Sequence, residues 1–290
     1  MNISSSNFDS QYDPQGLARF FDDYGLREWE RLVSNPVDEV SLYIHTHYLQ
    51  KFISPGSRVL EIGAGAGRFT QVLAQLGAQV LVADISPGQL KLNQQHAVQY
   101  GFNHVVESWL EVDICEMSIL ENESFDCVVA YGGPLSYVLE RRDQALEACL
   151  RVLKPGGLIL FSVMTLFGSA HRAFGQISSL APQTNRAIIA TGDISPATFP
   201  ERKDSFMHLF RADELRQWVE EAGLDILAMS ASGCLVTCWE GALGEIRQDP
   251  ARWELVLEVE LEASAEPGAL DMGTHLICVA HKQIDNCIST

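Results

Sequence analysis

Short apolar runs separated by helical stretches dominate this chain from residue 58 onward. The apolar runs predict strands at residues 58–62, 79–83, 109–112, 125–130, 158–163, 224–229 and 274–280. Apolar positions at helical spacing predict helices at residues 68–76, 87–100, 142–153 and 212–222. Nearly continuous apolar strands joined by helical crossovers indicate a parallel sheet with both faces covered. The pattern therefore predicts an α/β fold built on a doubly wound sheet.

Two further segments flank or interrupt this alternation. Helical patterns at residues 15–34 and 36–52 precede the first strand. Residues 165–207 lose the alternation and contain three prolines, which is typical of a lid or a binding loop. The apolar residues of this insertion either line a pocket or fill a local core. We therefore expect a disordered leader at 1–12, a single domain at 13–282 with an N-terminal helical cover at 13–53 and a lid-like insertion at 165–207, and a tail at 283–290.

The segment at residues 250–264 fits two structures. Trp253, Leu255, Leu257 and Val259 alternate with mostly acidic residues, as in an amphipathic strand, yet several apolar residues also share one helical face. Asp249-Pro250 supplies an N-cap followed by a proline at the first helical position. These two residues favour a helix, and a strand stays the alternative.

The charge of the chain limits the classes of partner. Among 290 residues, 20 are Lys or Arg and 38 are Asp or Glu, for a net charge of −18. The adjacent basic pairs Arg141-Arg142 and Arg202-Lys203 are both flanked by acids. Such a chain repels phosphate backbones and anionic lipid surfaces. We therefore expect neither a nucleic acid nor a membrane as partner, and no apolar run is long enough to predict a membrane span.

Cysteine usage indicates a reducing compartment. The chain has seven cysteines, most of them among apolar residues, and an odd number does not suggest a disulfide framework. Cys234 and Cys238 are four apart, but no second pair of metal ligands lies near them in the sequence. The first ten residues show no secretory signal. We therefore predict buried thiols, no metal site and a cytoplasmic location.

A glycine-rich turn follows the first predicted strand. Residues 61–67 read Glu-Ile-Gly-Ala-Gly-Ala-Gly, which is not the Gly-x-Gly-x-x-Gly spacing of pyrophosphate binders. Open α/β sheets bind ligands at this edge, beside the reversal in strand order. The Glu61 carboxylate would repel a pyrophosphate and would tolerate a cation. S-Adenosylmethionine, which carries a sulfonium and an ammonium and no phosphate, fits such a turn.

Two more acids lie at the ends of the next strands. Asp84 follows the second strand and can accept both ribose hydroxyl protons, and Ile85 beside it can lie on an adenine face. Asp113 ends the third strand and can accept from an adenine amino group, with Ile114 as a second apolar wall. Either acid could instead serve as a helix cap, since Ser86-Pro87 is a plausible helix start after Asp84.

Together, these features resemble the class I S-adenosylmethionine-dependent methyltransferases. The match runs in order through the glycine turn, Asp84, Asp113, the strand at 125–130 and the Leu-Lys-Pro-Gly-Gly run at 153–157, and it covers about residues 40–282. The resemblance implies a seven-stranded, mostly parallel sheet with the last strand antiparallel, S-adenosyl-L-methionine as cofactor and S-adenosyl-L-homocysteine as product. It also implies a set of cofactor-binding residues: Glu61, Gly63, Ala64, Gly65, Gly67, Asp84, Ile85, Asp113, Ile114, Ala130 and Tyr131.

The family's reaction is an in-line displacement, in which the enzyme's main tasks are orientation and exclusion of water. The candidates for a catalytic role are Tyr131, His171 and His208. The chain lacks the Asn/Asp-Pro-Pro-Tyr signature of base and glutamine methylators, and it lacks a Pro-Cys nucleophile. We therefore predict a small-molecule methyl acceptor. A protein-modifying methyltransferase and a non-catalytic S-adenosylmethionine-binding protein stay alternatives, and an NAD-type oxidoreductase is disfavoured by Glu61 and the glycine spacing.

Overall fold

A computed structural model describes residues 12–200, 202 and 206–283 of the chain. The predicted leader and tail are therefore described only at Tyr12 and Gln283, and Cys287 lies outside the described residues. Three helices precede the first strand: α1 (Pro14–Tyr24), α2 (Arg27–Glu30) and α3 (Pro36–Phe52). The helical pattern over 15–34 corresponds to two helices, because Gly25 has φ 57° and ends α1.

Strands and helices then alternate as the apolar pattern predicts. The elements are β1 (Arg58–Ile62), α4 (Arg68–Gln75), β2 (Gln79–Asp84), α5 (Pro87–Gln99), β3 (Val106–Glu111), β4 (Phe125–Ala130), α6 (Pro134–Tyr137), α7 (Arg142–Val152) and β5 (Leu153–Met164). β5 begins five residues before the predicted strand, because Leu153 already pairs with Phe125 of β4. The register then shifts across the glycines that follow.

The insertion after β5 contains more regular structure than its sequence suggests. It holds α8 (Leu166–Arg172), α9 (Phe174–Ile177), α10 (Pro182–Thr191) and the short strands β6 (Asp193–Ile194) and β7 (Met207–His208), which pair antiparallel. The chain continues through α11 (Ala212–Glu221), β8 (Leu224–Ala231), α12 (Glu240–Ile246), α13 (Pro250–Ser264) and β9 (His275–Lys282). The ambiguous segment is thus the helix α13, whose first turn is capped by the Asp249 side chain.

The main sheet confirms the predicted fold class. Its seven strands lie in the order β3-β2-β1-β4-β5-β9-β8. All neighbours are parallel except β9, which runs antiparallel between β5 and β8. The strand order reverses between β1 and β4, so the carboxyl ends of these two strands flank a crevice.

Helices cover both faces of the sheet, which explains why its strands are apolar throughout. Val59 of β1 packs in the cluster formed with α3 and α4, and the next residue, Leu60, packs in the cluster formed with α7 and α11. Both side chains are completely buried. Within the described residues, no helix is both long and apolar enough to cross a membrane.

His208 of β7 ties the insertion to α11. Its Nδ1 lies 2.7 Å from Asp193 Oδ1, its Nε2 lies 2.8 Å from Glu214 Oε1, and its side chain is buried. Burial alone would lower the pKa of His208, but the hydrogen bonds to Asp193 and Glu214 outweigh it and raise the pKa. The two carboxylates therefore favour an imidazolium that donates from both nitrogens.

We expect His208→Gln to lower the free energy of unfolding by about 1–2 kcal/mol at pH 6 and by less at pH 9. A histidine whose folded pKa is raised stabilises the fold fully below the unfolded pKa, and this stability disappears as the pH rises through the folded pKa. Urea titration at both pH values measures the difference. The exposed His104, which contacts only its own turn, supplies the control variant His104→Gln. A loss that is equal at both pH values would contradict the charged bridge.

Candidate active site

The glycine turn between β1 and α4 packs against the start of α6. Gly63 has φ 69°, and a Cβ on this residue would lie 2.4 Å from Pro134 Cγ. Only glycine fits both the backbone conformation and the space. The turn after β1 is therefore held tightly against the segment that follows β4, and the two form the floor of the crevice at the strand reversal.

Glu61 lies under this turn, at the end of β1. Its carboxyl group is buried and accepts a hydrogen bond of 2.6 Å from Thr70 Oγ1. Burial raises the pKa of Glu61 to about 8, and the nearby charge of Asp84 adds to the shift. At neutral pH, Glu61 is therefore mostly protonated, which differs from the charged carboxylate that the sequence suggested.

Asp84 joins β2 to the glycine turn and to α5. Its Oδ2 accepts from the Gly65 N–H at 2.8 Å, and its Oδ1 accepts from the Ser86 N–H, also at 2.8 Å. Burial raises the pKa of Asp84 to about 6, although both backbone hydrogen bonds favour the charged form. Ser86 itself caps α5, so Asp84 supports the cap rather than replacing it.

A cleft of about 580 Å³ opens above these groups. It brings together six of the predicted cofactor-binding residues: Gly63, Gly65, Asp84, Ile85, Ile114 and Tyr131. Five others do not line it: Glu61, Ala64, Gly67, Asp113 and Ala130. Asp113 nevertheless lies close to the cleft, because its Oδ1 accepts from the hydroxyl of Tyr12, a lining residue, at 3.0 Å.

The segments around α1, α2 and α6 supply eight lining residues that the sequence analysis missed. They are Tyr12, Leu17, Phe21, Glu28, Gly132, Pro134, Tyr137 and Val138. Hydrogen bonds join α1 to the start of α5, since Asp22 Oδ1 accepts from Ser86 Oγ and from the Gly88 N–H. The amphipathic pattern of α1 indicated a buried face but not the surface against which that face would pack. None of the described residues of the insertion, 165–200, 202 and 206–207, lines this cleft.

Among the three catalytic candidates, only Tyr131 reaches the cleft. Its hydroxyl is buried and has no hydrogen-bond partner among the described residues, and burial raises its pKa well above the ordinary value. His171 is exposed on α8, with its Nε2 3.4 Å from Cys238 Sγ. His208 has both nitrogens engaged by carboxylates. In the described residues, no group of three or more His, Cys, Asp or Glu side chains is arranged to hold a metal ion.

Comparisons with known proteins agree with this geometry. Residues 60–161 match a family model described as a methyltransferase domain. The chain is 28% identical over 207 residues to the ubiquinone biosynthesis O-methyltransferase of Dinoroseobacter shibae, covering 66% of this chain and 71% of that protein.

Solved structures share the fold. A putative sarcosine dimethylglycine methyltransferase from Galdieria sulphuraria superposes with a TM-score of 0.55 at 18% identity, covering 91% of this chain and 98% of the other. The 1,6-didemethyltoxoflavin-N1-methyltransferase of Burkholderia thailandensis was solved with S-adenosylhomocysteine. It superposes with a TM-score of 0.53 at 16% identity, covering 92% of this chain and 87% of the other. Residues 60–161 therefore match a methyltransferase domain, and the described chain has the fold of S-adenosylmethionine-dependent methyltransferases, whose methyl donor is S-adenosyl-L-methionine.

The residues of the cleft fit this cofactor. The cleft offers the buried carboxylate of Asp84 to hydroxyl donors and the apolar side chains of Ile85 and Ile114 to a flat aromatic base. Glycines at 63 and 65 bring the backbone itself to the cleft surface. Among the described residues no Lys or Arg is part of the lining, and Arg31 beside Gly132 is paired with Glu28, so a diphosphate would meet a single cation.

We expect Asp84→Ala to weaken S-adenosylhomocysteine binding about 10- to 100-fold, because two charge-assisted hydrogen bonds to the ribose are lost. Isothermal titration calorimetry measures the affinity. The control is Asp126→Ala, which removes an ion pair with Lys154 at the opposite edge of the sheet. Unchanged affinity in Asp84→Ala, with the fold intact by circular dichroism, would contradict the ribose assignment.

The raised pKa of Asp84 predicts a pH-dependent affinity. The carboxylate must be ionised to accept both ribose hydroxyls, so binding is full only well above the pKa of about 6 and falls as the pH drops through it. We expect about a tenfold loss per pH unit below pH 5.5 for 5′-methylthioadenosine, which has no amino acid group of its own to titrate. Titrations from pH 5 to 8 test this, and the profile of Asp84→Asn should be flat. A wild-type profile that is equally flat would refute the assignment.

Proposed function

We propose that the protein transfers the methyl group of S-adenosyl-L-methionine to the hydroxyl oxygen of a small molecule in the cytoplasm. The observation that carries this proposal is the cleft at the strand reversal, in which Asp84 and the glycine turn meet an apolar wall. The O-methyltransferase names of the relatives support oxygen as the acceptor atom. The acidic surface supports a small molecule over a nucleic acid.

Each part of the cleft has a distinct task in this proposal. Asp84 accepts the ribose hydroxyl protons, Ile85 and Ile114 enclose the adenine, and Asp113 accepts from its amino group. Of the two Asp113 oxygens, only Oδ1 is hydrogen-bonded within the described residues, to Tyr12 and to the Cys115 N–H. The second oxygen is therefore available to a ligand.

The methyl-transfer end lies where β4 ends. Tyr131 and Gly132 follow β4 and face the glycine turn across the cleft. Phe21 and Tyr137 close this end with an edge-to-face contact, their ring centroids 5.5 Å apart. The cofactor supplies a methyl group already activated by the sulfonium, so the protein contributes orientation and exclusion of water.

Tyr131 and His45, which lie near this end, are poor proton acceptors. The Tyr131 hydroxyl keeps its proton, because burial raises its pKa. The ring of His45 lies 4.8 Å from that of Tyr131, but burial lowers the pKa of His45 to about 4, which makes it a weak base. An acceptor that loses its proton readily needs no strong base. We therefore propose an acidic hydroxyl, as in a phenol, rather than an aliphatic alcohol.

The cysteines support the proposed location. All six cysteines among the described residues are free thiols, and five of them are buried. Burial raises the pKa of the thiols of Cys127, Cys149 and Cys278 to about 12, which keeps them protonated and unreactive. Free, inert thiols are typical of a reducing compartment such as the cytoplasm.

The direct test is to incubate the protein with S-adenosyl-L-methionine labelled in the methyl group and with panels of phenols, aliphatic alcohols, amines and carboxylic acids. We expect label in phenol ethers, one equivalent of S-adenosylhomocysteine per product, and little activity in Asp84→Ala. Mass spectrometry identifies the methylated atom.

Three outcomes would contradict the proposal in different ways. Label found only on amines would replace oxygen as the acceptor atom. Label found only on added proteins would favour the protein-modifying alternative. Tight cofactor binding without transfer to any acceptor class would favour a non-catalytic S-adenosylmethionine-binding protein.

A further inference from the structure

An ion pair at the end of the cleft has no assigned role. Glu28 of α2 and Arg31, the residue after α2, lie three positions apart on one turn, and Arg31 Nε is 2.7 Å from Glu28 Oε1. Their side chains are only 17% and 25% exposed, respectively, so the pair is not an ordinary surface salt bridge.

Both side chains lie directly against the backbone of the crevice. A Cβ on Gly65 would be 3.0 Å from Glu28 Cγ, and a Cβ on Gly132 would be 2.9 Å from Arg31 Nη2. Glu28, Gly65 and Gly132 all line the cleft. The pair therefore spans the gap between the glycine turn after β1 and the segment after β4.

The pair keeps hydrogen-bonding capacity on both partners. Among the described residues, only Nε of the Arg31 guanidinium makes a hydrogen bond, which leaves the donors of Nη1 and Nη2 unused. Glu28 Oε2 likewise accepts no hydrogen bond within the described chain. Each partner can therefore bind a further group of opposite charge.

Neighbouring aromatic and basic side chains fix this turn in place. The ring of Trp29, which lies between Glu28 and Arg31 in the sequence, packs 3.7 Å from the Arg68 guanidinium and 4.0 Å from the ring of His96. Arg68 Nη2 also donates to the Trp29 carbonyl at 2.6 Å. The charged pair is thus preorganised, and little freedom is lost when a ligand binds.

We propose that Glu28 and Arg31 together bind the amino acid end of S-adenosylmethionine, Glu28 taking the ammonium and Arg31 the carboxylate. This inference rests on the cofactor assignment above. The ligand's ammonium and carboxylate are attached to one carbon, so they match two adjacent groups of opposite charge. A lone anion of a methyl acceptor would meet Glu28, and a lone cation would meet Arg31, so the pair selects a zwitterion over either.

Calorimetry with three ligands distinguishes the contact of Glu28 with the ammonium from the contact of Arg31 with the carboxylate. S-Adenosylhomocysteine carries both charges, its decarboxylated form carries only the ammonium, and 5′-methylthioadenosine carries neither. We expect Arg31→Met to weaken S-adenosylhomocysteine binding about 10- to 100-fold and to leave the other two affinities unchanged. Glu28→Gln should weaken both amine-bearing ligands and spare 5′-methylthioadenosine. Arg31→Lys should restore part of the loss.

The matched control is Arg27→Met. Arg27 lies one turn earlier, is exposed, and contacts Tyr24 rather than the cleft, so all three affinities should stay at the wild-type values. Thermal unfolding by circular dichroism confirms that each variant is folded.

The inference is overturned if Arg31→Met weakens all three ligands equally, since that loss would come from a deformed cleft. It is also overturned if S-adenosylhomocysteine binding is unchanged and only the KM of the methyl acceptor rises. Wild-type protein that binds S-adenosylhomocysteine no more tightly than 5′-methylthioadenosine would refute this inference alone. Wild-type protein that binds none of the three would refute the cofactor assignment as well.

Discussion

The carboxylate of Asp84 is the constraint on which the geometry of the crevice depends. Through two backbone hydrogen bonds it fixes the end of β2, the glycine turn and the start of α5 relative to one another. A buried carboxylate is costly unless such donors satisfy it. Because the donors occupy one direction at each oxygen, the remaining lone pairs are left for a ligand. The group that holds the turn together is therefore also suited to bind the cofactor.

Much of the fold and about half of the site could be predicted from local sequence. The strands were evident because both faces of the sheet are covered, which makes each strand an apolar run. The glycine turn was evident because positive φ and close packing demand glycine at Gly63. The helix at 250–264 was correctly favoured because its capping residues are local. In each case the physical cause lies within a few residues of its signal.

The rest of the site depends on contacts between residues that are far apart in sequence. Tyr12 reaches Asp113, Asp22 reaches Ser86, and Glu28 reaches Gly65. None of these pairs has a local pattern that distinguishes it from a solvated face. The helices of the insertion were equally hard to predict from the sequence. They are short, and they end at turns rather than at a clear change in the hydrophobic period. The bridge from His208 to Asp193 and Glu214 could not be inferred before the pairing of β6 with β7 was known.

The electrostatic selectivity of the cleft has a different origin from the one that the sequence suggested. Because burial raises its pKa to about 8, Glu61 is mostly neutral at neutral pH and does not itself repel a diphosphate. That repulsion falls to Asp84 and Glu28, which line the cleft. A bound sulfonium would favour the ionised form of Glu61, because a nearby positive charge lowers the pKa of an acid. A cation held at the glycine turn would therefore offset part of the cost of burying a charged Glu61.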